Sequence, residues 1–151
     1  MELADNELRL LAFFRRNARL ALTKISKQTG VPVSTIFDKL RKYEGNIIQR
    51  HVALLDFQKL GYTTRANVFV KTTPDNRLAL AQYLKLHPNV NAAYRVNNGY
   101  DYLIEAIFRN IQEHEDFLEN LEIEHGVTNK EVYFVIGEVS REHFMAGTEV
   151  V

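Results

Sequence analysis

The stretch from residue 22 to residue 43 restricts the fold of this chain more than any other part of the sequence. Its apolar residues recur at helical spacing on both sides of a glycine. Gly30 is suited to end the first helix, because glycine adopts a left-handed conformation without steric cost. Pro32 then restarts the chain with a helical φ, and Ser34 and Thr35 offer hydroxyls to the free amides of the next turn. The pattern predicts two short helices around a tight turn.

Charge favours a DNA-binding role for this helix pair. A helix-turn-helix unit and an ordinary pair of antiparallel core helices fit the spacing equally well. Residues 1–50, however, contain 10 basic and 5 acidic side chains, a net of +5. Residues 51–151 contain 9 basic and 14 acidic side chains, a net of −5. A basic first third joined to an acidic remainder is typical of a protein in which one domain contacts phosphate.

Composition and motifs argue against several other classes of protein. The chain has no cysteine, and no apolar run reaches membrane-spanning length. Its N-terminus is too acidic for a secretory signal, so we expect a soluble, cytoplasmic protein without a membrane partner. Neither a nucleophile motif nor a phosphate-binding glycine loop is present, which predicts no catalytic residue and no cofactor. His114 and His125 match no zinc spacing, so we expect them to be solvated and to bind no metal.

The flanking segments predict a supporting helix and a strand. Asp5 is a plausible N-cap for a first helix that ends near Asn17 and buries Leu10, Leu11 and Phe14. Residues 47–55 are rich in β-branched and apolar side chains and are predicted to form a strand. The domain boundary is expected between about residue 50 and residue 62.

The remainder of the chain alternates between strand and helix patterns. Strands are predicted at residues 66–72, 90–96 and 100–108, with Asn98-Gly99 as the hairpin turn between the last two. Asn110 and Glu113 form a capping box for the second helix of this part. The elements that complete the pattern are a helix between Thr73-Pro74 and His87-Pro88, the end of the second helix at Gly126, and a last strand with Val132, Phe134 and Ile136. The order βαββαβ predicts an α+β fold with a ferredoxin-like antiparallel sheet, whose exposed face and edges favour dimerisation.

Four segments in this order resemble the Lrp/AsnC, or feast/famine, family of transcriptional regulators. They are NAR at 17–19, ISKQTGVPVSTIFDKLRKYE at 25–44, ALLDFQKLGY at 53–62 and YRVNNGYDYLIE at 94–105. The resemblance implies a winged helix-turn-helix domain followed by a RAM-type ferredoxin-like domain. It also implies a sequence-specific DNA-binding regulator that works as a homodimer or an octamer and responds to an amino-acid effector. The expected parts are a DNA-binding domain at 1–50, a hinge at 51–62, an effector-binding and oligomerisation domain at 63–139, and a C-terminal tail at 140–151.

The candidate DNA-binding residues follow from the helical pattern. Ile36 and Leu40 are expected to face the core, which leaves the opposite side of their helix for duplex DNA. Arg41 could bind guanine or phosphate, and Phe37 could contact a thymine methyl or pack on the first helix. Asp38 is expected to pair with Arg41 rather than accept from cytosine. The full set is Thr23, Lys24, Lys27, Ser34, Thr35, Phe37, Asp38, Arg41 and Lys42.

The resemblance places the effector site near the predicted hairpin, at Asn97, Asn98, Gly99, Tyr100 and Asp101. This chain has Asn98-Gly99 where the family usually has Gly-Asp. The Asp101 carboxylate could hold an amino group or form an ion pair between strands or subunits. An ordinary β-turn is the simpler interpretation of the same residues.

Two alternative functions are compatible with the same sequence. The sirohaem decarboxylases resemble this family in both domains, and an enzyme of that kind would use His51, Arg65 and Arg95. A metabolite sensor without specific DNA binding is the other alternative, and the charge of residues 1–50 disfavours it.

Overall fold

The computed structural model describes residues 3–147 as two compact units. One unit contains the chain up to Leu54 together with the residues from Val139 onward, and the other spans Leu55–Glu138. Residues 1 and 2 of the expected first domain and residues 148–151 of the expected tail lie outside the described residues. The division into a domain, a hinge, a second domain and a tail stays a prediction.

The first unit is built on three helices. These are α1 (Asp5–Arg16), α2 (Leu22–Thr29) and α3 (Val33–Tyr43). α2 ends at Gly30, whose φ of 72° is left-handed and whose amide donates to the Ser26 carbonyl at 2.8 Å. The helices enclose a small core of buried side chains, Leu10, Phe14, Ile25 and Ile36.

The helix caps differ from those expected. Pro32 is itself the N-cap of α3, with an extended ψ of 143°, and no side chain caps this helix. Ser34 and Thr35 lie inside the first turn, where their own amides are among those that need a partner, so their hydroxyls do not provide the cap. At α1 the N-cap is Ala4 rather than Asp5. The Glu7 carboxylate accepts a hydrogen bond from the Ala4 amide at 3.3 Å.

The strand predicted at residues 47–55 is wrong. The amides of Ile47 and Ile48 both donate hydrogen bonds to the Tyr43 carbonyl, each at 2.9 Å, so the chain turns here. A single isolated β-bridge joins Glu44 to Ile48. A β-strand requires a neighbouring strand to pair with, and among residues 3–147 no strand of the sheet pairs with this segment. Its apolar side chains after His51 are instead exposed, at 64% for Val52.

The second unit has the predicted βαββαβ order. The elements are β1 (Thr64–Thr72), α4 (Arg77–Leu86), β2 (Val90–Arg95), β3 (Tyr102–Phe108), α5 (Ile111–His125) and β4 (Val127–Phe134). A short 3₁₀ turn, Pro74–Asn76, precedes α4. β1 pairs with both β3 and β4, and β2 pairs with β3, which gives an antiparallel sheet of order β2-β3-β1-β4.

Both helices cover one face of this sheet. Val68 and Ile104 of the sheet pack in one core cluster with Leu80 of α4 and Leu121 of α5, and all four are excluded from solvent. Ile136, expected in the last strand, is fully exposed because β4 ends at Phe134. Among residues 3–147, no helix combines the length and apolar character needed to cross a membrane.

A network of hydrogen bonds around the Glu7 carboxylate joins α1 to α3. Glu7 Oε1 accepts hydrogen bonds from Lys39 Nζ at 2.8 Å and from the Tyr43 hydroxyl at 3.0 Å. The hydrogen bond from Lys39, followed by that from Tyr43, lowers the pKa of Glu7 to about 2. Burial, reinforced by Glu7, raises the pKa of Tyr43 to about 12. The network therefore holds α3 against α1 through a carboxylate that stays ionised in moderate acid.

The Glu7 network predicts a pH dependence of stability. Since the folded pKa of Glu7 lies below its ordinary value of 4.5, its contribution is complete above about pH 4.5 and is lost as the pH falls towards 2. A ¹³C NMR titration of the Glu7 carboxyl should give a midpoint near 2 in the natural protein. Lys39→Met should raise that midpoint, whereas Lys42→Met should leave it unchanged. An equal midpoint in the natural protein and in Lys39→Met would contradict this account.

A side chain at Gly126 should destabilise the second unit. Gly126 ends α5 with a left-handed φ of 62°, and a Cβ at this position would overlap the side-chain amide of Asn76. We expect Gly126→Ala to lower the free energy of unfolding by at least the roughly 1–2 kcal/mol cost of a left-handed alanine, measured by urea denaturation. The loss should be smaller when Gly126→Ala is introduced into an Asn76→Ala background, where the overlap is removed. Equal losses in the two backgrounds would show that the amide moves aside freely.

Candidate nucleic-acid interface

One side of α3 is fixed in the core, and this places the opposite side outward. Ile36 and Tyr43 are buried, seven residues apart, on the inner side of the helix. Ser34, Asp38 and Arg41 occupy positions i, i+4 and i+7, so they form one exposed line along the outer side. We call these three residues the α3 ridge.

Phe37 lies beside the α3 ridge and contacts one of its members. Phe37 is 48% exposed, and the guanidinium carbon of Arg41 lies 5.7 Å from the centroid of its ring, a cation–π arrangement. The expected ion pair between Asp38 and Arg41 is not formed; within residues 3–147, Asp38 makes no ion pair. The ridge thus carries one unpaired carboxylate and one guanidinium held over an aromatic ring.

The cations of the first unit fall into two groups. Lys39 and Arg15 are engaged internally, since Lys39 pairs with Glu7, and Arg15 pairs with Glu142 and donates to the Phe144 carbonyl at 3.2 Å. This contact of Arg15 with residues 142 and 144 could not be predicted from the sequence, because no local pattern links the two segments. The exposed remainder of the candidate set is Thr23, Lys24 and Lys27 on α2, and Thr35 and Lys42 on α3. Lys24, Lys27 and Lys42 form no ion pair with any of the described residues.

The candidate effector loop is a tight hairpin with a buried end. Asn98 and Gly99 have φ of 63° and 89°, and the Val96 amide donates to the Asp101 carbonyl at 3.0 Å. Asn97, Asn98 and Gly99 are exposed, whereas Asp101 is only 9% exposed.

Both oxygens of the Asp101 carboxylate already have partners. Oδ2 accepts from the Thr72 amide at 2.9 Å, and Oδ1 lies 2.8 Å from Arg77 Nε. Asp101 therefore forms an ion pair within the subunit, to helix α4 rather than to a neighbouring strand. Arg77 was not among the predicted partners of Asp101, because nothing in the local pattern links the start of α4 to the hairpin.

Tyr100 joins an aromatic cluster on the open face of the sheet. Its ring lies 5.6 Å from that of Phe69, which also contacts Tyr133 edge-on at 6.2 Å. A hydrogen bond with Glu131 raises the pKa of Tyr100 and lowers that of Glu131. Phe69 and Tyr133 were not singled out from the sequence, although their alternation with buried strand residues places them on this face.

Two of the three residues considered for an enzyme contact carboxylates of their own unit. Arg65 lies between Glu105 at 3.0 Å and Glu138 at 2.8 Å, and His51, in the other unit, pairs with Glu44 at 3.2 Å. Arg95 is exposed. Across residues 3–147, no group of three or more His, Asp or Glu side chains is arranged to hold a metal ion.

His114 is not solvated, contrary to expectation. It is excluded from solvent and packs against Phe108 at 5.7 Å and Phe134 at 5.2 Å. Its spacing from Phe117 and Leu118 on α5 is that of a buried stripe, and this is the signal the sequence offered. His125 is half-buried, with its ring 3.9 Å from that of Tyr83.

Known proteins share this architecture. The chain is 26% identical over 145 residues to an uncharacterized HTH-type transcriptional regulator of Pyrococcus furiosus, covering 95% of this chain and 97% of the relative. It is 27% identical over 118 residues to the HTH-type transcriptional regulator FL11 of Pyrococcus horikoshii, covering 78% of each. The crystal structure of a Neisseria meningitidis transcriptional regulator in complex with L-Met superposes with a TM-score of 0.86 at 23% identity, over 93% of this chain and 94% of that one.

A family model identifies the second half of the chain. The model of the Lrp/AsnC ligand binding domain matches residues 65–143, just over half of the sequence. The matched range contains the whole βαββαβ arrangement apart from the first residue of β1. Together with the helix-turn-helix unit that precedes it, this match shows that the chain belongs to the Lrp/AsnC family of transcriptional regulators.

Proposed function

We propose that this regulator binds specific sequences of duplex DNA by placing α3 in the major groove, with α2 crossing the phosphate backbone. The observation that carries the proposal is the orientation of the α3 ridge directly opposite Ile36 and Tyr43. A helix fixed in this way presents short polar and cationic side chains to base edges. Lys24, Lys27 and Lys42 are exposed and available for phosphate contacts.

The assembly we propose is a homodimer, which could associate further into an octamer. Its support is the face of the sheet opposite α4 and α5, where Phe69, Tyr100 and Tyr133 cluster, together with the exposed apolar side chains of Val52 and Leu54. Exposed apolar surface of this kind favours association. In this proposal, residues 1–50 bind DNA, residues 51–62 act as the hinge, and residues 63–139 oligomerise and bind the effector.

The effector we propose is an amino acid bound at the 97–101 hairpin. The Neisseria regulator crystallised with L-Met supports the ligand class. Because the Asp101 carboxylate is occupied by Thr72 and Arg77, contacts to a ligand would come from the exposed amides of Asn97 and Asn98.

The effector proposal predicts a stabilisation by ligand that depends on Asn98. A thermal-shift series with single L-amino acids should raise the melting temperature for at least one of them. Asn98→Gly keeps the positive φ of 63° accessible and removes only the amide, so it should abolish the shift without lowering the melting temperature of the free protein. An unchanged shift in Asn98→Gly would move the effector site elsewhere.

The DNA-binding proposal predicts salt-sensitive, sequence-dependent affinity. Fluorescence anisotropy should detect tight binding to the DNA upstream of the protein's own reading frame and weaker binding to a scrambled duplex. A dimer that contacts roughly 6–10 phosphates should lose about 10³–10⁵ in affinity between 50 and 200 mM salt, through counterion release. Arg41→Ala should weaken binding to the upstream duplex.

The matched control is Arg19→Ala, which removes an equal charge outside the helix pair at 22–43. It should weaken binding less than Arg41→Ala does. Equal, weak binding of the natural protein to both duplexes at either salt concentration would reject the regulator mechanism proposed above.

A further inference from the structure

We propose that Asp38 and Arg41 select adjacent G·C base pairs, Asp38 by accepting from a cytosine amino group and Arg41 by donating to guanine while Phe37 positions its guanidinium. This inference rests on the proposed docking of α3 in the major groove, and it adds the chemistry of the bases that are recognised.

The spacing of the two side chains matches neighbouring base pairs. Asp38 and Arg41 are three residues apart on the α3 ridge, a rise of about 4.5 Å along the helix axis. Base pairs stack about 3.4 Å apart along the duplex. With the ridge following the groove, the two side chains therefore face successive base pairs rather than the same one.

The unpaired Asp38 carboxylate restricts which base can lie opposite it. It is exposed, carries no ion pair among the described residues, and lies at the centre of the face that would meet DNA. A carboxylate only accepts hydrogen bonds, so it is repelled by phosphate and by the acceptor groups of guanine and thymine. Adenine offers an amino donor but places the N7 acceptor beside it, whereas cytosine presents only its amino donor in the groove. Cytosine is thus the base that fits.

Phe37 restricts Arg41 in a different way. The ring lies one helical turn before Arg41, and its stacking at 5.7 Å holds the guanidinium beside the ridge instead of letting it bend towards Asp38. A guanidinium pre-positioned in this way loses less side-chain entropy when it binds. Its planar fork of donors matches the O6 and N7 acceptors of guanine, which are presented together only by that base. Phe37 therefore acts as a positioning residue for Arg41.

The first test is selection of binding sites from a randomised duplex library with the full chain. The natural protein should enrich half-sites in which a cytosine and a guanine occupy adjacent base pairs. Asp38→Asn should replace the cytosine preference with adenine, because an asparagine amide pairs with adenine N6 and N7, and should keep the guanine. Lys42→Ala should weaken binding while keeping the selected sequence. Enrichment of one unchanged sequence by both the natural protein and Asp38→Asn would overturn the assignment of Asp38.

The second test isolates the role of Phe37. On the selected duplex, replacing the guanine by 7-deazaguanine removes the N7 acceptor and should weaken binding of the natural protein about 5- to 150-fold. That ratio should shrink in Phe37→Leu and be restored in Phe37→Tyr, with the salt dependence of binding unchanged in both. An identical ratio in all three proteins would overturn the positioning role.

Failure of this inference is distinguishable from failure of DNA binding itself. If the natural protein enriches no sequence at all, specific DNA binding is rejected, and the base assignments fall with it. If it enriches a sequence that is indifferent to Asp38, Arg41 and Phe37, specific DNA binding stands and only the inference is overturned. Circular dichroism of each variant should match that of the natural protein, because the substituted side chains are exposed.

Discussion

The burial of Ile25 against Ile36 is the interaction on which the first unit depends. α2 and α3 have 8 and 11 residues, too few for a helix to be stable alone in water, so their structure comes from this packing. Both isoleucines are excluded from solvent, and burying each contributes about 1.5–3 kcal/mol. Tyr43 fixes the other end of α3 through its hydrogen bond to Glu7. Two anchors seven residues apart determine the rotation of α3, and that rotation decides which side chains face outward.

Features that depend on local chemistry could be predicted from the sequence. Gly30 ends α2 because only the left-handed region closes that turn, and Asn110 caps α5 by accepting from the Glu113 amide at 2.9 Å. The Asn98-Gly99 hairpin and the alternation in β1 depend on the same kind of short-range rule, and they led to the βαββαβ order. The exposure of the α3 ridge could likewise be predicted from helical spacing alone.

Features that depend on partners distant in sequence could not be predicted. Residues 47–55 have the composition of a strand, but nothing in the composition says whether a pairing partner is available. Asp101 was a candidate to bind the amino group of an effector. In the structure, Arg77 and the Thr72 amide contact both of its carboxylate oxygens. Arg15 was one of three arginines at the end of α1, and its carboxylate partner, Glu142, comes from the far end of the chain. In each case the outcome is set by a group that the local pattern does not contain.

The charged side chains on the exposed sides of α2 and α3 have two different effects on DNA binding in the proposed complex, one on affinity and one on specificity. In the proposed complex, Lys24, Lys27 and Lys42 attract every phosphate backbone equally, so they raise affinity without distinguishing sequences. In the same proposal Asp38 does the opposite, because an unpaired carboxylate on that face lowers affinity for all DNA and is offset only where a base donates to it. A regulator must find few sites among many competing ones, so what matters is the ratio of specific to non-specific affinity. An acidic residue in the centre of a basic interface is therefore consistent with sequence recognition and inconsistent with a surface selected only for strength of binding.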